Sequence, residues 1–269
     1  MASERHEAVD KVAVFDLDGV LLQTFVYEWA QNMTMLSLYN QLPVAADERD
    51  IVVPPEIKMD VESRMERAFF ESNGDPVRHY QTLLGQKALG SEFRDRHRFA
   101  VERNRNLVLP EVGAEDLLED IAADPHMGVA LWTSRDRSLL TPELVPEIIK
   151  PADQAGPREE GFFDITITAD DVGYDSDGSR KMKPNEAGLE IIANHYSLPY
   201  ERFTMIGDRP SDIIPAIKLG AHAIGFASGY IAARPELLWN AGASHVVRTH
   251  DELRPLLVDK NHRGSVANE

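Results

Sequence analysis

The chain has 269 residues and no cysteine. That absence excludes disulfides, a thiolate nucleophile and any zinc or iron–sulfur site ligated by cysteine. Basic residues are also scarce: 28 Lys and Arg stand against 45 Asp and Glu, a formal charge of −17 at pH 7. Such a surplus repels polyphosphate chains and anionic headgroups, so nucleic acid and membrane surfaces are not expected as partners. Long hydrophobic runs are missing as well. The most apolar stretch, residues 221–233, is too short to cross a bilayer and is interrupted by His222 and Ser228. The first ten residues have neither the basic end nor the apolar middle of a signal peptide. A soluble, cytoplasmic protein is expected, and no internal period points to a repeat architecture.

What is present is an ordinary globular composition, 43% hydrophobic and 27% charged, with enough chain for a core plus a smaller unit. Val12, Ala13, Val14 and Phe15 follow Lys11 as an unbroken apolar run, which suits a strand buried on both faces. Comparable runs occupy residues 128–132, 164–168, 203–206, 221–226 and 245–247. Helical periodicity lies between several of them, as in Leu117, Leu118 and Ile121, or Leu189, Ile192 and Tyr196. Strands alternating with helices predict an α/β fold, a doubly wound, Rossmann-like parallel sheet.

Residues 25–106 break that rhythm with four helical segments and no buried strand. They read as an inserted helical domain, leaving residues 1–24 and 107–269 as the core. Pro54 and Pro55 divide the insertion, and the Asn-Gly-Asp-Pro sequence at 73–76 marks a turn. Phe69, Phe70, Leu83 and Leu84 suit either this domain's own core or a dimer contact, so monomer and homodimer both stay open. Arg94, Arg96, Arg98, Arg103 and Arg105, interleaved with acids, predict a solvated, salt-bridged helix face. Asp175, Asp177 and Gly178 imitate the start of a calcium loop but lack its terminal Glu, so a polar turn is expected.

The chemistry-bearing residues gather after apolar runs. Asp16 and Asp18 flank Leu17, with Gly19 next, just beyond the first expected strand. In an open α/β sheet, ligands sit beyond the carboxyl ends of strands. Two acids so close repel each other unless a cation or proton intervenes, and a hard cation such as magnesium takes oxygen ligands of this kind. A second acidic pair, Asp208 and Asp212, follows the run 203–206. If the two strands are neighbours, Asp208 can join Asp16 around one ion. Thr133 and Ser134 follow the run 128–132, and Lys183 precedes Pro184. A hydroxyl and an ammonium suit a phosphate.

Taken in order, Asp-x-Asp-Gly at 16–19, Thr133, Lys183-Pro184 and Gly-Asp-x-x-x-Asp at 207–212 resemble the four motifs of the haloacid dehalogenase superfamily. The resemblance covers residues 12–247 and implies a doubly wound core with a mobile helical cap between the first and second motifs. It implies that Asp16 is a nucleophile forming an aspartyl-phosphate and that Asp18 is the general acid and base. Thr133 or Ser134 would bind the phosphoryl group and Lys183 would balance its charge. Magnesium would be held by the Asp16 side chain, the Asp18 carbonyl and Asp208, with Asp212 supporting. Members that cleave carbon–halogen bonds lack an acid at the position of Asp18 and use no magnesium, so Asp18 favours phosphoryl transfer. One departure is that Gln23 precedes Thr24, where members commonly have Asp before Ser or Thr.

The resemblance therefore implies a magnesium-dependent phosphatase acting on a small phosphorylated substrate. A phosphomutase of the beta-phosphoglucomutase type would use the same two aspartates, and a non-catalytic binding module would need none of the motif residues.

Overall fold

The computed structural model describes residues 8–42, 55–72, 76–87, 89–140, 162–176, 178 and 180–258. Pro54, the turn at 73–75 and Asp177 lie outside the described residues, as does most of the irregular stretch after Pro142. The chain divides into two compact units, Met1–Gln23 joined with Leu109–Glu269, and Thr24–Val108.

The first unit is built on six parallel strands: β1 (Lys11–Phe15), β4 (Met127–Trp132), β5 (Ile165–Ile167), β6 (Phe203–Gly207), β7 (His222–Phe226) and β8 (His245–Val247). Their order across the sheet is β5-β4-β1-β6-β7-β8. The chain thus steps outward from β1 through β4 to β5, returns to the other side of β1 as β6, and steps outward again. That reversal beside β1 is the point at which open α/β sheets leave a crevice beyond their strand ends. The central strands are apolar on both faces because both faces are covered: Val12, Ala13, Val14 and Phe15 are at most 1% exposed, and all six residues of β4 are buried. Each such fully buried Val, Leu or Phe side chain contributes roughly 1.5–3 kcal/mol. A short antiparallel pair, β2 (Leu22–Gln23) with β3 (Leu109–Pro110), closes this unit where the inserted unit begins and ends.

Helices α5 (Ala114–Ala123), α6 (Ala187–Tyr196), α7 (Pro210–Leu219), α8 (Glu236–Ala241) and α9 (His250–Leu257) flank the sheet. Helix α5 buries Ala114, Leu117, Leu118 and Ile121, one stripe at helical spacing, and packs on β4. Helix α6 packs on β4 and β5, and its approach is set by a missing side chain: a Cβ at Gly188 would collide with the Trp132 indole. At the other end of α6, the Tyr196 hydroxyl donates to Asp164 Oδ2 at 2.8 Å.

Two of the expected strands are shorter than their apolar runs, 164–168 by a residue at each end and 221–226 by one at its start, for visible reasons. Asp164 turns its carboxylate onto the Val129 amide at 2.9 Å as well as onto Tyr196, so β5 begins at Ile165. At its far end Thr168 gives its amide and hydroxyl to Asp171 Oδ2, at 2.8 and 2.6 Å. Ala221 is taken by the end of α7, where its amide donates to Ala216 O.

The second unit holds α1 (Thr24–Leu38), α2 (Pro55–Ser72), α3 (Pro76–Leu84) and α4 (Phe93–Asn104). Helices α2 and α3 pack on each other, and Phe69, Leu83 and Leu84 on them are buried. Phe70 is half-buried with its ring edge-on to Phe69 at 5.2 Å. On α4, Arg94 and Arg98 are exposed, as is Arg105 just beyond it, whereas Arg96 stacks over the Tyr39 ring at 4.4 Å and donates to Leu38 O. That arginine also pairs with Glu92 one turn earlier, so it joins the expected salt-bridged face to packing within the unit. Asp175 O accepts from the Gly178 amide in a turn. No described helix is long and apolar enough to cross a membrane.

Two consequences can be measured. Replacing Gly188 by Ala forces the Trp132 indole aside and should cost about 1–3 kcal/mol in chemical unfolding; an unchanged midpoint would show that α6 yields freely. His250, 1% exposed in the first turn of α9, sits 3.2 Å from Val112 O with its ring against Phe226. Burial lowers its pKa below the ordinary 6.5. The unfolded chain then binds a proton that the native state refuses, so stability rises with pH up to that value. Relative to His250→Gln, wild type should lose stability between about pH 7 and pH 5.5 in chemical unfolding.

Candidate active site

Strand register delivers the candidate residues to one edge of the sheet. Phe15 is level with Leu131 on β4 and with Ile206 on β6, and the Asp16 amide continues the ladder onto Ile206 O at 2.9 Å. Asp16 therefore leaves β1 at the height of Trp132 and Gly207, and Thr133 and Asp208 follow one residue later on the flanking strands. The loop after β1 is closed by its own backbone: the Leu21 and Leu22 amides donate to Leu17 O, and the Gly19 amide donates to Leu22 O. Gly19 has φ +76°, and a Cβ there would strike the Asp208 carboxyl. Only glycine permits both that backbone conformation and that approach. Ser228, beyond β7, donates its hydroxyl to Gly19 O at 2.6 Å and fixes the same turn from the other side.

Lys183 lies at the centre of the acids. Its ammonium is 2.8 Å from Asp16 Oδ1 and 2.9 Å from Asp212 Oδ1, with all three side chains nearly inaccessible. It also sits over the Trp132 ring at 4.9 Å. Asp212 uses its other oxygen to accept from the Arg209 amide at 2.9 Å, an N-terminal cap that orients the carboxylate toward the lysine. Gly207 makes room for this, since a Cβ there would overlap the Asp212 side chain. Carboxylate oxygens of Asp16, Asp208 and Asp212 all lie within 4.8 Å of one another.

Three carboxylates against one ammonium and, at the edge, the Arg209 guanidinium 3.9 Å from Asp208 Oδ1 leave the cluster short of positive charge. Burial, followed by repulsion from Asp212 and Asp18, raises the Asp16 pKa to about 7 despite the lysine. Burial works to lower the Lys183 pKa, but attraction to Asp16 and Asp212 outweighs it and the pKa is raised. Both partners thus favour their protonated forms, the response of a site with surplus negative charge. The donor set is all oxygen and closely spaced, which fits a hard divalent cation such as magnesium.

The remaining candidates divide. Thr133 is buried, its amide bound to Ile167 O and its hydroxyl oxygen accepting from the Arg135 amide at 3.2 Å. Ser134 is exposed, so of the two hydroxyls only Thr133 belongs to the buried edge. The Asp18 carboxylate stands outside the acidic cluster among the described residues and pairs instead with Arg135, through Nε at 2.8 Å and Nη2 at 2.6 Å. Arg135, Trp132 and Ser228 are the neighbours that sequence reasoning missed. Arg135 stood two residues after Thr133, but nothing in the sequence names its partner 117 residues away.

A doubly wound parallel sheet with acids collected at its reversal defines an α/β enzyme scaffold with a polar, charge-deficient site. The haloacid dehalogenase-like hydrolase family model matches residues 11–220, and the chain belongs to that family. No curated protein shows a significant sequence match. Among solved structures, the chain is similar to a candidate haloacid dehalogenase-like hydrolase from Bacteroides fragilis, with TM-score 0.63 and 16% identity over 90% of this chain and 99% of that one. It is also similar to a protein named as a predicted phosphoglycolate phosphatase from Haemophilus somnus 129pt, with TM-score 0.61 and 15% identity over 91% and 97% of the two chains. A candidate beta-phosphoglucomutase from Thermotoga maritima gives TM-score 0.60 and 18% identity over 91% and 98%. Likeness at these identities shows the shared fold.

The lysine gives a direct test. Lys183→Met leaves two buried carboxylates facing each other and should cost about 3–5 kcal/mol at about pH 8. Asp16 then holds a proton in the folded state that the unfolded chain releases, so the cost should shrink toward about pH 6. A pH-independent loss in chemical unfolding would contradict this account of the cluster.

Proposed function

We propose that the protein is a cytoplasmic, magnesium-dependent phosphomonoester hydrolase that acts on a small phosphorylated metabolite through Asp16. The observation that carries the reading is the buried set Asp16, Asp208 and Asp212 around Lys183, within a member of a hydrolase family. The Asp16 carboxylate attacks phosphorus, forming a P–O bond as the bond to the leaving oxygen breaks. Asp18 gives that oxygen its proton, then takes one from the water that attacks the aspartyl-phosphate and releases phosphate. The Thr133 hydroxyl and neighbouring amides bind the non-bridging oxygens, and Lys183 offsets charge on Asp16. The Asp16 side chain, the Asp18 carbonyl and Asp208 would hold magnesium, with Asp212 supporting through Lys183. A bound dication reduces repulsion between an anionic nucleophile and an anionic phosphate. We assign the helical unit, Thr24–Val108, the part of a cap that excludes bulk water during transfer and selects the substrate.

The test is phosphate release from a panel of phosphomonoesters by wild type and Asp16→Asn, with magnesium and with chelator. Wild type should release phosphate only with magnesium, and Asp16→Asn should be slower by roughly a thousandfold or more. Magnesium alone should also raise the unfolding midpoint of wild type, and do so less for Asp208→Asn. Release that survives Asp16→Asn or the chelator would refute the mechanism. Accumulation of an isomeric ester with little free phosphate would replace the hydrolase by a mutase.

A further inference from the structure

Arg135 has no part in the chemistry set out above, yet it occupies the group on which proton transfer depends. Its guanidinium grips both oxygens of Asp18, and the pair is partly covered, with side chains 13% and 27% exposed. A carboxylate whose two oxygens both face one guanidinium has neither turned toward a leaving oxygen. The Arg135 backbone, by contrast, is anchored: its amide donates to Thr133 Oγ1 and its carbonyl accepts from the Ala169 amide at 2.9 Å. Any rearrangement therefore falls to the side chains. Asp18 is two residues from Asp16, and Arg135 is two residues from Thr133, so the pair joins the two loops that carry the groups that would flank a phosphoryl group. The planar fork that fits a carboxylate fits a phosphate equally well, and a phosphate dianion offers more charge and a third oxygen.

We propose that Arg135 is a phosphate-binding residue that exchanges partners: on binding, the substrate's phosphoryl oxygens take the guanidinium from Asp18 and leave that carboxylate able to serve the leaving oxygen. The inference rests on the hydrolase reading for the role of Asp18, and adds a residue that couples phosphate binding to release of the acid–base group. It selects for substrates whose phosphoryl group presents at least two free oxygens on one side, since a single oxygen cannot replace a bidentate carboxylate.

The test needs no turnover. Inorganic phosphate, with magnesium present, is titrated calorimetrically into the full-length wild type, Arg135→Ala, Arg135→Lys, Asp18→Ala and the Arg135→Ala/Asp18→Ala double variant. Unfolding midpoints on the same samples separate loss of fold from loss of binding. Arg135→Ala should weaken phosphate at least about tenfold, and Arg135→Lys should restore only part, because an ammonium cannot reproduce the fork. Asp18→Ala should tighten phosphate when Arg135 is present and lose most of that effect when it is not. Should Arg135→Ala fail to fold, Arg135→Lys and Asp18→Ala carry the comparison. Wild-type affinity in both Arg135 variants, or an Asp18→Ala effect that is the same with and without Arg135, overturns the exchange. Failure of every ester to react would sink the hydrolase reading and still leave the phosphate cycle to decide this one.

Discussion

One buried ammonium holds the active edge of the sheet together. Lys183 reaches from the loop before α6 to Asp16 at the end of β1 and to Asp212 in the first turn of α7, and so ties three segments that are distant in the chain. Removing ions from water costs several kcal/mol each, and only close, hydrogen-bonded pairing offsets that cost. The surroundings supply the pairing: Trp132 covers the ammonium, Gly207 lets Asp212 come close, and the Arg209 amide turns Asp212 in the right direction.

The pairing is also deliberately incomplete in electrostatic terms. A third acid, Asp208, stands beside Asp16 and Asp212 with the Arg209 Nε 3.9 Å away, and Asp16 titrates near neutrality because burial and repulsion from Asp212 and Asp18 outweigh the lysine. A site balanced by protein charges alone would gain nothing from a cation. One left with surplus carboxylate is suited to a dication, and a bound dication would invert the local field. The negative charge of the whole chain, −17, does not oppose this, since such fields are screened over about 10 Å at ordinary ionic strength whereas the cluster acts at contact.

Much of this arrangement was legible in the sequence, and the reason is that its signals are local. Val12 to Phe15 and the run ending at Trp132 are buried on both faces, so their hydrophobicity is unbroken and their ends are plain. Once parallel strands are expected, acids just past such ends must stand near one another, which is how Asp16 and Asp208 could be grouped. What failed to show depends on distant partners. The Asp164 carboxylate trims β5 because Tyr196 is folded against it, and Ser228 reaches Gly19 across 209 residues. The lack of a side chain at Gly188 reads as a helix-weakening residue until Trp132 is seen to fill the space. Arg135 belongs to the same class: an arginine in a loop has no partner until the fold supplies one.

The two cations of the site differ in what they are free to do. Lys183 is 3% exposed and bound to two carboxylates that are themselves buried, so its departure would strand uncompensated charge. Arg135 grips Asp18 with its side chain 13% exposed, on a loop whose backbone is already held by Thr133 Oγ1 and the Ala169 amide. Its release of Asp18 asks for side-chain rotation alone, and an incoming dianion replaces the bonds that are lost. A site that must admit a phosphate and later let it go needs one cation that stays and one that trades partners. The burial of Lys183 and the partial exposure of Arg135 suit those two tasks respectively.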